Sequence, residues 1–219
     1  MNLFKNVETI FFDYDGTLHN SIKIYAPAFR KAYDYLVKEG YAEPKEWKEE
    51  EISYWLGFNP QEMWENFMPD FDSSIRNKCS EIISREMQHL IEEKKAELYE
   101  GVLEVLAYLK QSGYHLIFIS NCKIYYRDFH SNLFKLQEYF EEMVCSEEYN
   151  FVPKYEILAK VKSKYPVDMV IIGDRKQDIE AGKKNDIYTI GCTYGFPLKG
   201  ELENSDLLIS DIRELLEYF

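Results

Sequence analysis

Basic residues are scarce in this chain: 26 Lys and Arg stand against 39 Asp and Glu, a formal net charge of -13 over 219 residues. Such an excess of acid repels phosphate backbones and anionic membrane surfaces unless a basic patch intervenes, and no basic run exceeds pairs such as Lys94-Lys95 or Lys183-Lys184. No nucleic-acid partner and no membrane partner is expected. Cysteine is sparse as well. Cys79, Cys122, Cys145 and Cys192 lie far apart and form no C-x-x-C pair, which excludes a zinc knuckle and a thioredoxin-type motif and suits a reducing compartment. Glycine and proline, at 10 and 7 residues, are too few for a fibrous or low-complexity chain. Long apolar runs are missing: Thr9 to Phe12 is far too short to span a membrane, and Met1 to Glu8 shows no basic stretch leading into an apolar one. The expectation is a cytoplasmic protein without an export signal, monomeric by default.

What is present is apolar surface, 46% of residues, in a chain long enough for one ordinary domain plus an insert. Short runs rich in β-branched and aromatic residues occur at Val7 to Phe12, Tyr114 to Ile119, Met169 to Ile172, Ile187 to Ile190 and, more weakly, Leu207 to Ile209. Continuous runs of this kind suit parallel strands covered on both faces. Between them lie helix-period segments: Val102 to Leu109 closed by Gly113, Tyr155 to Lys164, Asp178 to Asn185 and Ile212 to Phe219. The alternation defines an α/β fold with a doubly wound, Rossmann-like parallel sheet.

The stretch from Ser21 to Leu98 interrupts this rhythm. It holds no convincing strand and several amphipathic helices. Ile22, Tyr25, Phe29, Tyr33 and Leu36 form one stripe ending at Gly40, with Pro27 implying a late start or a kink. Ile75, Cys79, Ile82, Ile83, Leu90 and Ile91 form another, with Ser73 or Ser74 as N-cap. Shorter helices are expected over Glu46 to Leu56 and Pro60 to Phe67, which carry Trp47, Trp55 and Trp64; these tryptophans read as core of the insert. Residues 1–20 and 99–219 are thus expected to build the α/β core, and 21–98 a helical domain inserted after the first strand.

The chemistry-bearing residues collect where the apolar runs end. The first run leads into Asp13-Tyr14-Asp15-Gly16-Thr17, the second into Ser120-Asn121, and the run at Met169 to Ile172 into Gly173-Asp174, with Asp178 four residues on. A right-handed doubly wound sheet gathers the carboxyl ends of its strands at one edge, where such folds bind ligands. Asp13, Asp15, Asp174 and Asp178 brought within about 4–6 Å of one another would cost roughly 3–4 kcal/mol per close pair at an effective dielectric near 20. A divalent cation removes that penalty, and an all-oxygen set of carboxylates and water suits Mg²⁺ better than zinc. Magnesium in turn points to a phosphate-bearing substrate.

Asp13-Tyr14-Asp15-Gly16-Thr17, Ser120-Asn121, Lys154 and Gly173-Asp174-Arg175-x-x-Asp178 together resemble the four ordered motifs of the haloacid-dehalogenase-like (HAD) superfamily. The helical insert resembles that superfamily's C1 cap, and Gly173 to Gly195 is similar to the phosphoglycolate-phosphatase-like branch. The resemblance implies a Mg²⁺-dependent phosphatase acting on a small phosphorylated metabolite, with Asp13 as the nucleophile that forms an aspartyl-phosphate. It implies Asp15 as general acid and base, its main-chain oxygen on the metal, and Ser120 with the amide of Asn121 holding the phosphoryl group. It also implies Lys154 as the charge-balancing cation and Asp13, Asp174 and Asp178 as magnesium ligands, Asp178 directly or through water, with Gly16 letting the backbone approach the phosphate. Lys154 is preferred to Lys160, Lys162 and Lys164 because it begins its helix next to Glu142 to Ser146.

The resemblance further implies that the cap closes over the site, with hinges near Asn20 to Ser21 and Leu98 to Gly101. Asn20 stands where the family usually carries Asp, which alters that hinge and leaves the chemistry alone. His19 is read as a partly exposed residue outside the chemistry, and Cys122 as a small apolar filler. Two other functions share this pattern: a phosphomutase of the β-phosphoglucomutase type, and a binding protein that keeps the fold without turnover. The full set of motif residues argues against the second.

Overall fold

The structure, a computed structural model, describes residues 3–58, 60–166 and 168–219. The chain divides into two packed units, Met1–Asn20 with Leu98–Phe219, and Ser21–Glu97.

The first unit is a six-stranded sheet in which every pairing is parallel. Its strands are β1 (Thr9–Phe12), β2 (His115–Ser120), β3 (Glu142–Cys145), β4 (Met169–Gly173), β5 (Tyr188–Cys192) and β6 (Leu207–Ile209), in the spatial order β3-β2-β1-β4-β5-β6. Five of these fall on the five apolar runs. The strand that the apolar pattern misses, β3, is an edge strand whose first residue, Glu142, is polar and bonded to Lys164 and Tyr165. At an edge one flank of the strand has no neighbour, so the continuous apolar signal of a central strand is not required.

Four helices of this unit are long enough to cover the sheet: α5 (Val102–Gln111), α6 (Ile124–Phe134), α7 (Lys154–Val161) and α8 (Lys176–Lys184). Phe11, Ile117, Ile119, Val144 and Ile171 leave one face of the sheet and pack with Ile157, Leu158 and Val161 of α7 and Ala181 of α8. Phe12 and Phe118 point the other way and meet Phe140 edge-on at 6.1 and 5.9 Å. Period-two alternation along each strand produces this division, and each large apolar side chain fully buried contributes roughly 1.5–3 kcal/mol. The C-terminal segment expected as a helix is instead a 3-10 helix over Ile212–Glu217 that packs on α5. Its N-cap, Asp211, accepts from the N–H of Arg213 at 2.8 Å.

The second unit is helical among its described residues: α1 (Ile22–Lys38), α2 (Glu49–Ser53), α3 (Pro60–Phe67) and α4 (Ser73–Glu92). α1 runs from Ile22 straight through Pro27, so the proline brings no late start. Its sixth position lies only just past the first turn, where the missing N–H costs a single hydrogen bond. The N-cap of α4 is Asp72, one residue before the serines. α2 is only five residues long, and Trp47 precedes it while Trp55 follows it. Phe67 sits among all three tryptophans, at 5.5 Å from Trp47, 5.0 Å from Trp55 and 5.7 Å from Trp64, and closes the core of this unit with Phe29. Among the described residues no helix is long and apolar enough to cross a membrane.

Candidate active site

β1 and β4 are neighbours in register, Phe12 beside Ile172, so the residues that follow them leave the sheet together. The Asp13 N–H still donates to the Ile172 carbonyl at 2.9 Å, which carries the ladder one step past the strand and fixes the start of the loop. Ser120, the last residue of β2, ends at the same edge and is buried. The parallel topology therefore delivers Asp13, Ser120 and Asp174 to one crevice.

Two helix starts complete the set. Lys154 is the first residue of α7, where the helix dipole disfavours a cation, and Asp178 lies in the first turn of α8, where the dipole favours an anion. One Asp178 oxygen, Oδ2, caps its helix by accepting from the Arg175 N–H at 3.0 Å. The other, Oδ1, accepts from Lys154 Nζ at 2.6 Å, and the same ammonium lies 2.6 Å from Asp13 Oδ1. Burial alone would lower the Lys154 pKa, but Asp13 and Asp178 hold it above its ordinary value. Lys160, Lys162 and Lys164 are engaged elsewhere: over the Tyr149 ring, on the Asn185 carbonyl and on Glu142.

Burial and the nearby Asp178 charge push Asp13 up to about 7, against the pull of Lys154. Burial together with Asp13 and Asp178 pushes Asp174 well above the ordinary carboxylate range. Three oxygens, one each from Asp13, Asp174 and Asp178, lie within 4.8 Å of one another. Asp174 Oδ1 is buried and has no hydrogen-bond partner among the described residues. A buried all-oxygen donor set whose crowded carboxylates resist ionisation and which carries an unpartnered oxygen fits a divalent cation.

The space around Asp174 is set by two glycines. Gly16 has φ +84°, and a Cβ there would lie 2.1 Å from Asp174 Oδ2. A Cβ at Gly195 would lie 2.3 Å from the Gly16 carbonyl oxygen and 2.5 Å from Asp174 Cβ. The next residue, Phe196, donates its N–H to Asp174 Oδ2 at 2.6 Å. Gly16 thus makes room for a carboxylate of its own chain, a use that the sequence does not reveal.

Asp15 stands apart from the three. Its side chain turns to Tyr126, whose hydroxyl donates to Asp15 Oδ1 at 2.7 Å, and to His19, whose Nδ1 is 3.0 Å from the same oxygen. His19 is 0% exposed, so the reading of it as a partly exposed bystander is corrected. The N–H groups of Thr17, Leu18 and His19 all converge on the Tyr14 carbonyl, and this tight turn folds His19 back beside Asp15, where Tyr126 and His130 of α6 cover it. Tyr126 escapes sequence reasoning because α6 carries only a weak apolar stripe. Asn121 follows Ser120 out of β2 and is half-buried. Burial keeps the Cys122 thiol protonated, which agrees with a packing role.

A doubly wound fold whose strand ends present these carboxylates has relatives. The sequence profile of the haloacid dehalogenase-like hydrolases matches residues 10–192, and the chain belongs to that family. It is 23% identical over 235 residues to a phosphoglycolate phosphatase of Photobacterium profundum, covering 99% of this chain and 97% of that one. It is 24% identical over 218 residues to the pyrophosphatase PpaX of Bacillus cereus, covering 96% and 95%. Among solved structures, CbbY from Rhodobacter sphaeroides in complex with phosphate superposes with a TM-score of 0.77 at 19% identity, covering 95% of this chain and 96% of that one. A haloacid dehalogenase-like protein of Streptococcus pneumoniae gives 0.77 at 22%, covering 97% and 98%.

Proposed function

We propose that this hydrolase is a magnesium-dependent phosphatase that cleaves a small phosphorylated metabolite through an aspartyl-phosphate on Asp13. The observation that carries the reading is the convergence of Asp13, Asp174 and Asp178 oxygens within 4.8 Å of one another at the carboxyl edge of the sheet, with the buried Lys154 ammonium on Asp13 and Asp178. Two relatives bear the names of enzymes for small phosphate compounds, phosphoglycolate and pyrophosphate, which supports the substrate class.

Asp13, Asp174, Asp178 and the main-chain carbonyl of Asp15 would hold Mg²⁺, which when bound offsets the negative charge shared by carboxylates and phosphate. Lys154 keeps Asp13 in place and favours its ionised form, from which an Asp13 oxygen attacks phosphorus while the bond to the leaving oxygen breaks. Asp15 gives its proton to that leaving oxygen. In the second half it takes a proton from water, whose oxygen attacks phosphorus and returns the Asp13 carboxylate and inorganic phosphate. Ser120 and the Asn121 amide hold the transferring group, and Gly16 keeps the loop where Asp174 needs it. The helical unit Ser21–Glu97, placed in the chain directly after the first motif, is the C1-type cap in this reading.

The test is release of inorganic phosphate from phosphoglycolate, sugar phosphates, nucleoside monophosphates and pyrophosphate, with and without Mg²⁺, and with Asp13→Asn as control. Release that needs the metal and vanishes in the variant is the expected result. Folded protein that is silent on the whole panel, or an Asp13→Asn variant as active as the parent, ends the reading.

A further inference from the structure

The geometry points to Tyr126 and His19 as positioning residues that clamp one oxygen of Asp15 and thereby leave the other, Oδ2, as the sole site from which Asp15 can pass a proton. The inference rests on the phosphatase reading above, in which Asp15 is the general acid and base.

Tyr126 Oη, His19 Nδ1 and Asp15 Oδ1 form a closed triangle with sides of 2.7, 3.0 and 3.2 Å. The tyrosine has one proton and gives it to the carboxylate. His19 Nδ1 then faces two oxygens with no proton to spare for it, so Nδ1 must itself carry a hydrogen. His19 Nε2 is buried without a partner, which a bare ring nitrogen tolerates better than an N–H would. Oδ1 of Asp15 therefore accepts two donors and has no lone pair left for an acid proton. Any proton on Asp15 sits on Oδ2, for which the described residues offer no hydrogen-bond partner.

The clamp is rigid. The His19 ring stacks on Tyr14 at 5.1 Å and 14°, and His130 covers it at 4.5 Å. Tyr126 is buried against His130 at 4.1 Å. Asp15 keeps 24% of its side chain accessible, against 9% for Asp13 and 1% for Asp178, so the free oxygen is the one that can reach a ligand. A general acid freed from such a clamp would still exist but would point its proton in more than one direction.

Leaving groups that need protonation read this role directly. Tyr126→Phe keeps the ring in its box and removes only the hydroxyl. Its kcat/KM, which covers the steps through departure of the leaving group, is compared on two esters: the alkyl monoester of the panel that is turned over fastest, and 2,4-dinitrophenyl phosphate, whose leaving group departs unprotonated. A loss of roughly 10- to 100-fold on the alkyl ester, with the dinitrophenyl ester within about threefold, is expected. His19→Gln should show the same asymmetry. Equal losses on both esters, or none on either, overturn the inference. Asp15→Asn separates the two levels: if it spares the alkyl ester, the assignment of Asp15 falls and the clamp with it. If Asp15→Asn shows the asymmetry and Tyr126→Phe does not, the clamp alone falls. Independently of turnover, ¹⁵N NMR of the His19 ring should show hydrogen on Nδ1 and none on Nε2, and the opposite tautomer overturns the inference.

Discussion

Gly16 and Asp174 share a space that admits only one of their side chains: a methyl group at Gly16 would lie 2.1 Å from Asp174 Oδ2. The first motif of the sequence and the last are thus fitted to each other by a missing Cβ. Gly16→Ala must both accept a left-handed backbone, at about 1–3 kcal/mol, and push Asp174 aside. We expect a loss of roughly 100-fold in phosphate release, the scale of a misplacement of about 1 Å, together with a lower melting temperature. Activity within a few-fold of the parent would show that Asp174 has latitude that the close fit denies.

Lys154 is the cation that makes two buried carboxylates tolerable, at 2.6 Å from each. Lys154→Gln leaves Asp13 and Asp178 facing each other without it, and urea unfolding in the absence of metal should register a loss of about 3–5 kcal/mol. Added Mg²⁺ should recover part of that loss, because a second cation can take over the neutralisation. An unchanged midpoint would mean that the ammonium adds nothing net to the stability of the metal-free chain.

In the proposed reading, metal and protons compete for the same carboxylates. In the metal-free protein Asp13 is pushed up from 3.8 to about 7, so across that window the folded chain keeps a proton that the unfolded chain has released. Stability without metal therefore falls as pH rises through the window, and Asp174 adds to it with the same sign. A divalent cation needs the ionised forms, so the rise in melting temperature on adding Mg²⁺ should be larger near about pH 8 than near about pH 5. Thermal melts at both values check it, and an equal or reversed increment would remove the carboxylates from metal binding.

The central strands and the motif residues were readable because both rest on short-range signals. A strand buried on two faces must be apolar throughout, and acids directly after it have few structural uses. The edge strand Glu142–Cys145 and helix Ile124–Phe134 left no such trace, since neither needs a continuous apolar run or a sharp stripe. The length of the helix around Glu49 was overstated because Trp47 and Trp55 bury themselves on Phe67 from outside it. What no local pattern could carry is the meeting of Asp15 with Tyr126, a contact across 111 positions. His19 was misread for a related reason: its burial depends on His130 and Tyr126, which arrive from a helix the pattern did not disclose.

A second ion pair sits beside the site. Arg175 binds Glu201 through Nε at 2.8 Å and Nη2 at 3.3 Å, and Glu201 also accepts the Leu198 N–H at 2.9 Å, which ties the segment after β5 to the loop that bears Asp174. Glu201→Ala should cost about 1.5–3 kcal/mol in chemical denaturation. It should also weaken Mg²⁺ binding measured by calorimetry, since the strap that carries the Phe196 amide loosens. A stability loss with unaltered metal affinity would confine the pair to a scaffolding role.

The sheet order sets β1 between β2 and β4, and this has a consequence during biosynthesis. Asp13 leaves the ribosome more than a hundred positions before Lys154, Asp174, Asp178 and the Phe196 amide. At ordinary elongation rates Asp13 waits roughly 8 to 30 s for Asp174, with one flank of its strand still open. A nascent chain therefore displays the carboxylate proposed as nucleophile before the groups proposed to act with it exist. In the proposed reading the site is complete only once Phe196 has been made, and a nascent chain that stalls before Asp174 lacks residues proposed to hold the metal.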